Sequence, residues 1–327
     1  MMSQLRHFTL ASFKFYLAFP EGASLPPYLG STLRGSFGVA FKKVVCTLKD
    51  TACDQCLLKN RCVYSYIFET PIENPSEITQ KYHYAPHAFV LNPPWNNRRL
   101  YRPGSELVFQ LTLIGKAIDY LPYFIFTFIT LGQQGIGRKS DQGRNRFCLA
   151  RVTSLNILRE ETEIYNHHDQ RLHNLSSPLQ GEDFCPPASE AKAVTLDFLS
   201  PVRLVYRGKL VEDLEFHIIF RSLLRRISSL SQFHCGTRLD LDFKSLVARA
   251  ETIKTSNKQL RWYDWERYSR RQDARMKLGG VLGEIACEGH LTEFMPFITL
   301  GQWINVGKGT SFGLGQYKLA KRRSLNG

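Results

Sequence analysis

One six-residue word, written twice, constrains this chain more than any other feature. Phe128-Ile-Thr-Leu-Gly-Gln133 recurs as Phe297-Ile-Thr-Leu-Gly-Gln302, an offset of 169 residues. The surroundings agree. In each copy an apolar, helix-like stretch ends at a glycine, which favours helix termination. A glycine-rich basic turn follows, Gly135-Ile-Gly-Arg-Lys139 or Gly307 to Gly315, and then a short apolar strand, Phe147–Val152 or Gln316–Leu319. The block starts match more loosely. Phe13–Phe19 and Val194–Leu199 read as strands, and a helical stretch follows each. In the first block it is Leu25–Val45; in the second, Phe216, Ile219, Phe220, Leu223, Ile227 and Leu230 recur at three-to-four-residue spacing. Glu106–Ile114 and Met276–Cys287 add strand signal. The pattern predicts an α+β chain of tandem ferredoxin-like (RRM-like) β-α-β-β-α-β domains.

Charge marks the boundaries. Residues 1–158 carry a net +9, residues 159–190 a net −5, and residues 191–327 a net +10. We therefore expect domains at 1–158 and 191–327, joined by an acidic, polar linker at 159–190. With 43% hydrophobic residues the chain can bury two cores. A net charge of +14 points to a polyanionic partner. The longest apolar run, Tyr120–Leu131, is shorter than the roughly 20 residues a membrane span needs. The N-terminus shows no apolar signal core. The expected location is the cytoplasm, with no membrane partner.

Four of the eight cysteines form Cys-x6-Cys-x2-Cys-x5-Cys: Cys46, Cys53, Cys56 and Cys62. A Cys-x2-Cys pair lets two thiolates reach one tetrahedral ion, and the flanking pair can close the shell. A closed four-thiolate site leaves no open position, so the expectation is a small insertion at 46–62 holding a structural zinc, with no catalytic metal. Buried thiols and an iron–sulfur cluster are the alternatives for the same spacing.

The loop after the second repeat word is not a nucleotide-binding P-loop. Five residues separate Gly301 from Gly307 where four are needed, and Gly309 stands where the metal-binding hydroxyl belongs. Lys308, Thr310 and Ser311 can still meet a phosphodiester. The segment Arg261-Trp-Tyr-Asp-Trp-Glu-Arg-Tyr-Ser-Arg-Arg271, with Arg275, interleaves aromatics and cations. As a strand it would put Arg261, Tyr263, Trp265 and Arg267 on one face, where bases stack and cations take phosphates. A half-buried strand with a solvated charged face is the alternative.

The residues Gly-Lys-Gly-Thr-Ser-Phe-Gly-Leu-Gly-Gln-Tyr at 307–317 resemble the C-terminal glycine-rich signature of the RAMP superfamily. Together with Arg267-Tyr-Ser-Arg-Arg271 and Met276-Lys-Leu-Gly-Gly280 they resemble the CRISPR repeat-processing endoribonucleases. Leu25–Gly35, the four cysteines and Tyr64–Pro71 are similar to the N-terminal half of one branch. The resemblance implies repeat RNA or guide RNA as partner, with subunits of a CRISPR effector complex as further partners. It implies a metal-independent cut, in which a 2′-hydroxyl attacks the adjacent phosphodiester and leaves a 2′,3′-cyclic phosphate. Many members carry a histidine on or before the first helix; Leu25–Val45 has none. Members of this branch often show histidine where this chain has Asn305. By analogy with relatives that use Lys and Tyr instead, Tyr28 orients or transfers a proton, and Arg34 and Lys308 stabilise the phosphorane. The RNA-binding set is Lys308, Thr310, Ser311, Arg267, Arg270, Arg271 and Arg275. His234, near a turn, is a reserve candidate, and His87 reads as a loop anchor before a Phe89–Leu91 strand. The alternative function is a non-catalytic subunit that holds guide RNA.

Overall fold

The computed structural model describes residues 4–70, 85–140, 143–173, 175, 177–185, 190–269 and 274–320. Two compact units result: residues 9–179 with 233–236, and residues 1–8, 180–232 and 237–327.

In the first unit the chain runs β1 (Thr9–Phe19), α1 (Leu29–Val45), β2 (Phe89–Asn92), β3 (Ser105–Ile114), α2 (Leu121–Gln134), β4 (Cys148–Leu155) and β5 (Glu161–Asn166). The sheet order is β2-β3-β1-β4-β5, with β1 and β3 paired from Leu10↔Ile114 to Phe19↔Ser105. Alternation along β1 buries Phe13, Phe15, Leu17 and Phe19 and turns Lys14, Tyr16 and Ala18 to the other face. The buried row meets an aromatic core. Phe37 of α1 stacks on Phe124 and Phe128 of α2 at centroid distances of 4.9 and 5.2 Å, and Phe128 lies 5.2 Å from Phe15.

The second unit repeats the plan with β6 (Ala193–Val202), α3 (Phe216–His234, its last two residues in the first unit), α4 (Phe243–Ala250), β7 (Lys254–Ser269), β8 (Ala274–Glu288), α5 (Met295–Ile304) and β9 (Tyr317–Ala320). The order β7-β8-β6-β9 is the same permutation that β2-β3-β1-β4 makes in the first sheet. Both units are therefore ferredoxin-like, as the repeat predicts.

The repeated word lies within the second long helix of each repeat, residues 128–133 of α2 and 297–302 of α5, each opened by a proline in its first turn. Its glycine has a steric reason. A Cβ on Gly132 would stand 2.3 Å from the Phe147 carbonyl oxygen, and one on Gly301 2.0 Å from the Tyr317 hydroxyl. Each helix thus lies against the entry to the strand that closes its unit.

The acidic stretch 159–190 is not only a connection. Glu161–Asn166 adds the edge strand β5, with Ile164 and Tyr165 buried. The Glu161 carboxylate accepts hydrogen bonds from Lys14, Tyr16 and Thr153. Gly181–Phe184 forms a 3-10 turn that packs Phe184 on Trp303 in the second unit. Pro186 and Pro187 lie outside the described residues. Two buried side chains are enough to seat a short edge strand that the segment's composition hides. No helix among the described residues is long and apolar enough to cross a membrane.

Candidate nucleic-acid interface

The glycine-rich loop of the second unit is built by backbone geometry. Gly307 and Gly315 take φ of 87° and 73°, and a Cβ there would meet the carbonyl oxygens of Arg203 and Val306 at 2.5 and 1.8 Å. The loop knits itself to the end of β6. Lys308 N–H donates to the Arg203 carbonyl (2.9 Å), Gly315 N–H to that of Pro201 (3.0 Å), and Val306 N–H to that of Gly315 (2.9 Å). Arg226 of α3, half-buried, donates from Nε to the Ile304 carbonyl at the end of α5 (2.9 Å); desolvation of its guanidinium pushes its pKa down to about 9. Lys308 is exposed, whereas Thr310 and Ser311 are buried in the 3-10 turn Thr310–Phe312. This departs from the expectation that their hydroxyls meet RNA: the turn tucks both side chains inward, and Lys308 is the exposed member of the three.

Strand β7 forms, but its faces differ from the expected stacking platform. Trp265 is buried and Tyr263 half-buried, their rings 6.1 Å apart. Trp262, on the opposite face, donates from Nε1 to the Asp264 carboxylate at 2.7 Å. Arg270 and Arg271 lie outside the described residues, and so do the side chains of Arg267 and Arg275.

In the first unit Tyr28 precedes α1, its buried ring edge-on to Trp95 at 5.4 Å. Arg34, one and a half turns into α1, lays its guanidinium over Phe68 at 4.2 Å and Phe89 at 5.4 Å. Its Nη2 stands 3.4 Å from Nε2 of His87, whose ring stacks on Phe89 at 5.7 Å. A guanidinium only donates, so this contact assigns His87 a neutral Nε2 acceptor and the proton to Nδ1. Sequence reasoning missed this pair, since 53 residues separate its members. His234 is placed differently from a catalytic group. It is buried, with Nε2 on the Pro86 carbonyl (2.7 Å) and Nδ1 on the Tyr66 hydroxyl (3.1 Å). The carbonyl can only accept, so Nε2 carries the proton and Tyr66 donates to Nδ1. Desolvation pushes the Tyr66 phenol well above its usual range, which suits a permanent donor.

The four cysteines Cys46, Cys53, Cys56 and Cys62 are half-buried free thiols. Cys53 faces the Lys42 ammonium, with Cys46 also near, and the electrostatic interaction with Cys53 raises the pKa of Lys42. Among the described residues no three His, Cys, Asp or Glu side chains are arranged to hold a metal ion. As placed, the thiols do not fit a tetrahedral zinc.

Solved structures share the fold along nearly the whole chain. A Cas6 product complex superposes with a TM-score of 0.58 at 16% identity, covering 95% of this chain and 99% of that one. Thermus thermophilus Cas6 gives 0.54 at 17% identity, covering 96% and 99%. An uncharacterized protein of Archaeoglobus fulgidus is 25% identical over 321 residues, 95% of this chain and 97% of that protein. The AF_1859_N family model, an N-terminal domain, matches residues 8–177. The model of the CRISPR-associated endoribonuclease Cas6 matches residues 196–317. The chain belongs to the AF_1859_N family, and its second half matches the Cas6 model. Asn305 is fully buried at the end of α5, with φ of 60° and its Nδ2 on the Leu314 carbonyl at 3.1 Å. The residue that stands where the branch often shows histidine thus clasps the glycine loop.

Proposed function

We propose that this chain is a Cas6-type CRISPR repeat RNA-binding endoribonuclease that cuts precursor guide RNA within its repeats. The Arg34–His87 pair is the observation that supports a catalytic reading. With no histidine in Leu25–Val45, it supplies an imidazole whose Nε2 faces a guanidinium on the first helix. In the proposed reaction Arg34 turns from His87 to the phosphorane, which frees the Nε2 lone pair to take the 2′-hydroxyl proton as the 2′-oxygen attacks phosphorus. The bond to the 5′-oxygen breaks, the leaving oxygen takes a proton from an acid or water, and a 2′,3′-cyclic phosphate and a 5′-hydroxyl remain. Arg34 is the cation proposed for the phosphorane, and Lys308 is proposed to hold an RNA phosphate. Tyr28, buried against Trp95, is assigned to orientation. No metal takes part in this scheme. The proposed setting is the cytoplasm.

His87→Ala tests it. The variant is expected to bind repeat RNA as the wild type does and to cut at least about a hundredfold more slowly, the range of a general base. Undiminished cutting would remove His87 from the chemistry. Binding without cutting by the wild type itself favours the second reading, a subunit that holds guide RNA; the burial of Tyr28 is the observation on its side.

A structural zinc at Cys46, Cys53, Cys56 and Cys62 is proposed on spacing alone, against the side-chain arrangement. About one zinc per chain that Cys53→Ser loses, by elemental analysis, would support it. A metal-free wild type of unchanged melting temperature would remove it.

A further inference from the structure

Each unit carries a basic turn directly after the repeated word, and in the first unit that turn has no part in the scheme above. Its arms, Ile136–Ser140 and Gly143–Asn145, pair antiparallel. Asn145 fixes it in place. Its Nδ2 donates to the carbonyls of Ile136 (3.0 Å) and Ser24 (3.1 Å), and its Oδ1 accepts from the Ser24 N–H (2.9 Å). Ser24 in turn pairs with Leu100, and the Leu25 N–H donates to the Arg99 carbonyl at 2.8 Å. One short extended segment therefore joins the hairpin to residues 99–102.

The joined surface exposes Arg138, Arg144 and Arg146 on the hairpin and Arg99 and Arg102 beside it. Among the described residues none of the five has an acidic partner. Other cations differ: Lys14, Arg151, Arg249 and Lys258 each sit on a carboxylate. Five like charges on an anchored framework repel one another unless an external anion offsets them. All five are arginines, whose planar fork matches phosphate oxygens better than an ammonium does.

We propose that this arginine surface is a second RNA-backbone site, the first unit's counterpart of the glycine loop around Lys308. It rests on the reading of the chain as a repeat RNA-binding protein. The surface takes phosphates and reads no base, so it adds affinity and register for any RNA that follows it.

The test is a salt series of RNA affinity for the full chain, using its own repeat RNA with a fluorescent end label. The probe meets the wild type, the triple variant Arg138→Gln/Arg144→Gln/Arg146→Gln and the control Lys192→Gln, whose lysine already pairs with Glu190 at 3.1 Å. At about 0.7 per single-strand phosphate contact, the triple variant should lower the slope of log affinity against log salt by about 2. Its affinity should fall about tenfold or more at low salt, with the control unchanged. A folded triple variant, by circular dichroism, with wild-type slope and affinity would overturn the proposal. If the triple variant does not fold, the three single variants are measured; a loss of about 0.7 in slope for each supports the surface and unchanged slopes overturn it. Failure of the wild type to bind RNA would bring down the functional reading itself, whereas binding with an unaltered variant slope brings down this surface alone.

Discussion

At the residue scale, burial decides what each candidate can do. Lys308 was legible as an exposed cation because a lysine between two glycines has nowhere to hide. Thr310 and Ser311 were not, since a 3-10 turn buries them and no local pattern announces it. The Arg34–His87 pair was illegible for a different reason: it is a tertiary contact between α1 and the residue two before β2. Glu161 offers a prediction of its own. Partial burial works against its charge, but hydrogen bonds from Lys14, Tyr16 and Thr153 outweigh that and hold the carboxyl down to about 2. A depressed carboxylate stabilises the fold above its unfolded pKa and loses that contribution as the pH falls from about 4.5 toward 2. Glu161→Gln should therefore lie below the wild type in melting temperature near pH 6. The gap should narrow as the pH drops through that window; a gap independent of pH would contradict the assignment.

At the element scale, the sequence repeat and the structural repeat coincide because both record one packing problem. A helix must pass close to the strand that closes its sheet, and at Gly132 and Gly301 only a hydrogen fits. Gly301→Ala is expected to cost about 1–3 kcal/mol by overpacking against Tyr317, read as a lower denaturation midpoint. Unchanged stability would mean the close approach is not needed. Strand and helix periodicity made the main elements legible, with β1 starting at Thr9 ahead of the expected Phe13 and β3 at Ser105 ahead of Glu106. Edge strand β5 escaped notice, since its few apolar residues sit among charges in a segment whose composition reads as a connection. The face of β7 was misjudged too: alternation gives which residues share a face, not which face is covered, and Trp265 turned out to be buried.

At the scale of the whole molecule, two ferredoxin-like units each follow their second helix with a basic turn, and the net charge of +14 is carried by the sequence blocks on either side of the acidic segment. That duplicated plan suits a long polyanion better than a small substrate, and the Cas6 family model over residues 196–317 agrees. The central claim is that the chain cuts RNA with the substrate's own 2′-hydroxyl. The most direct measurement is a denaturing gel of the purified protein with its repeat RNA, beside the same RNA carrying one 2′-deoxy at the cut, both in EDTA. The account predicts one discrete cut ending in a cyclic phosphate, abolished by the single deoxy substitution while binding persists. A cut that survives the deoxy substitution would contradict it.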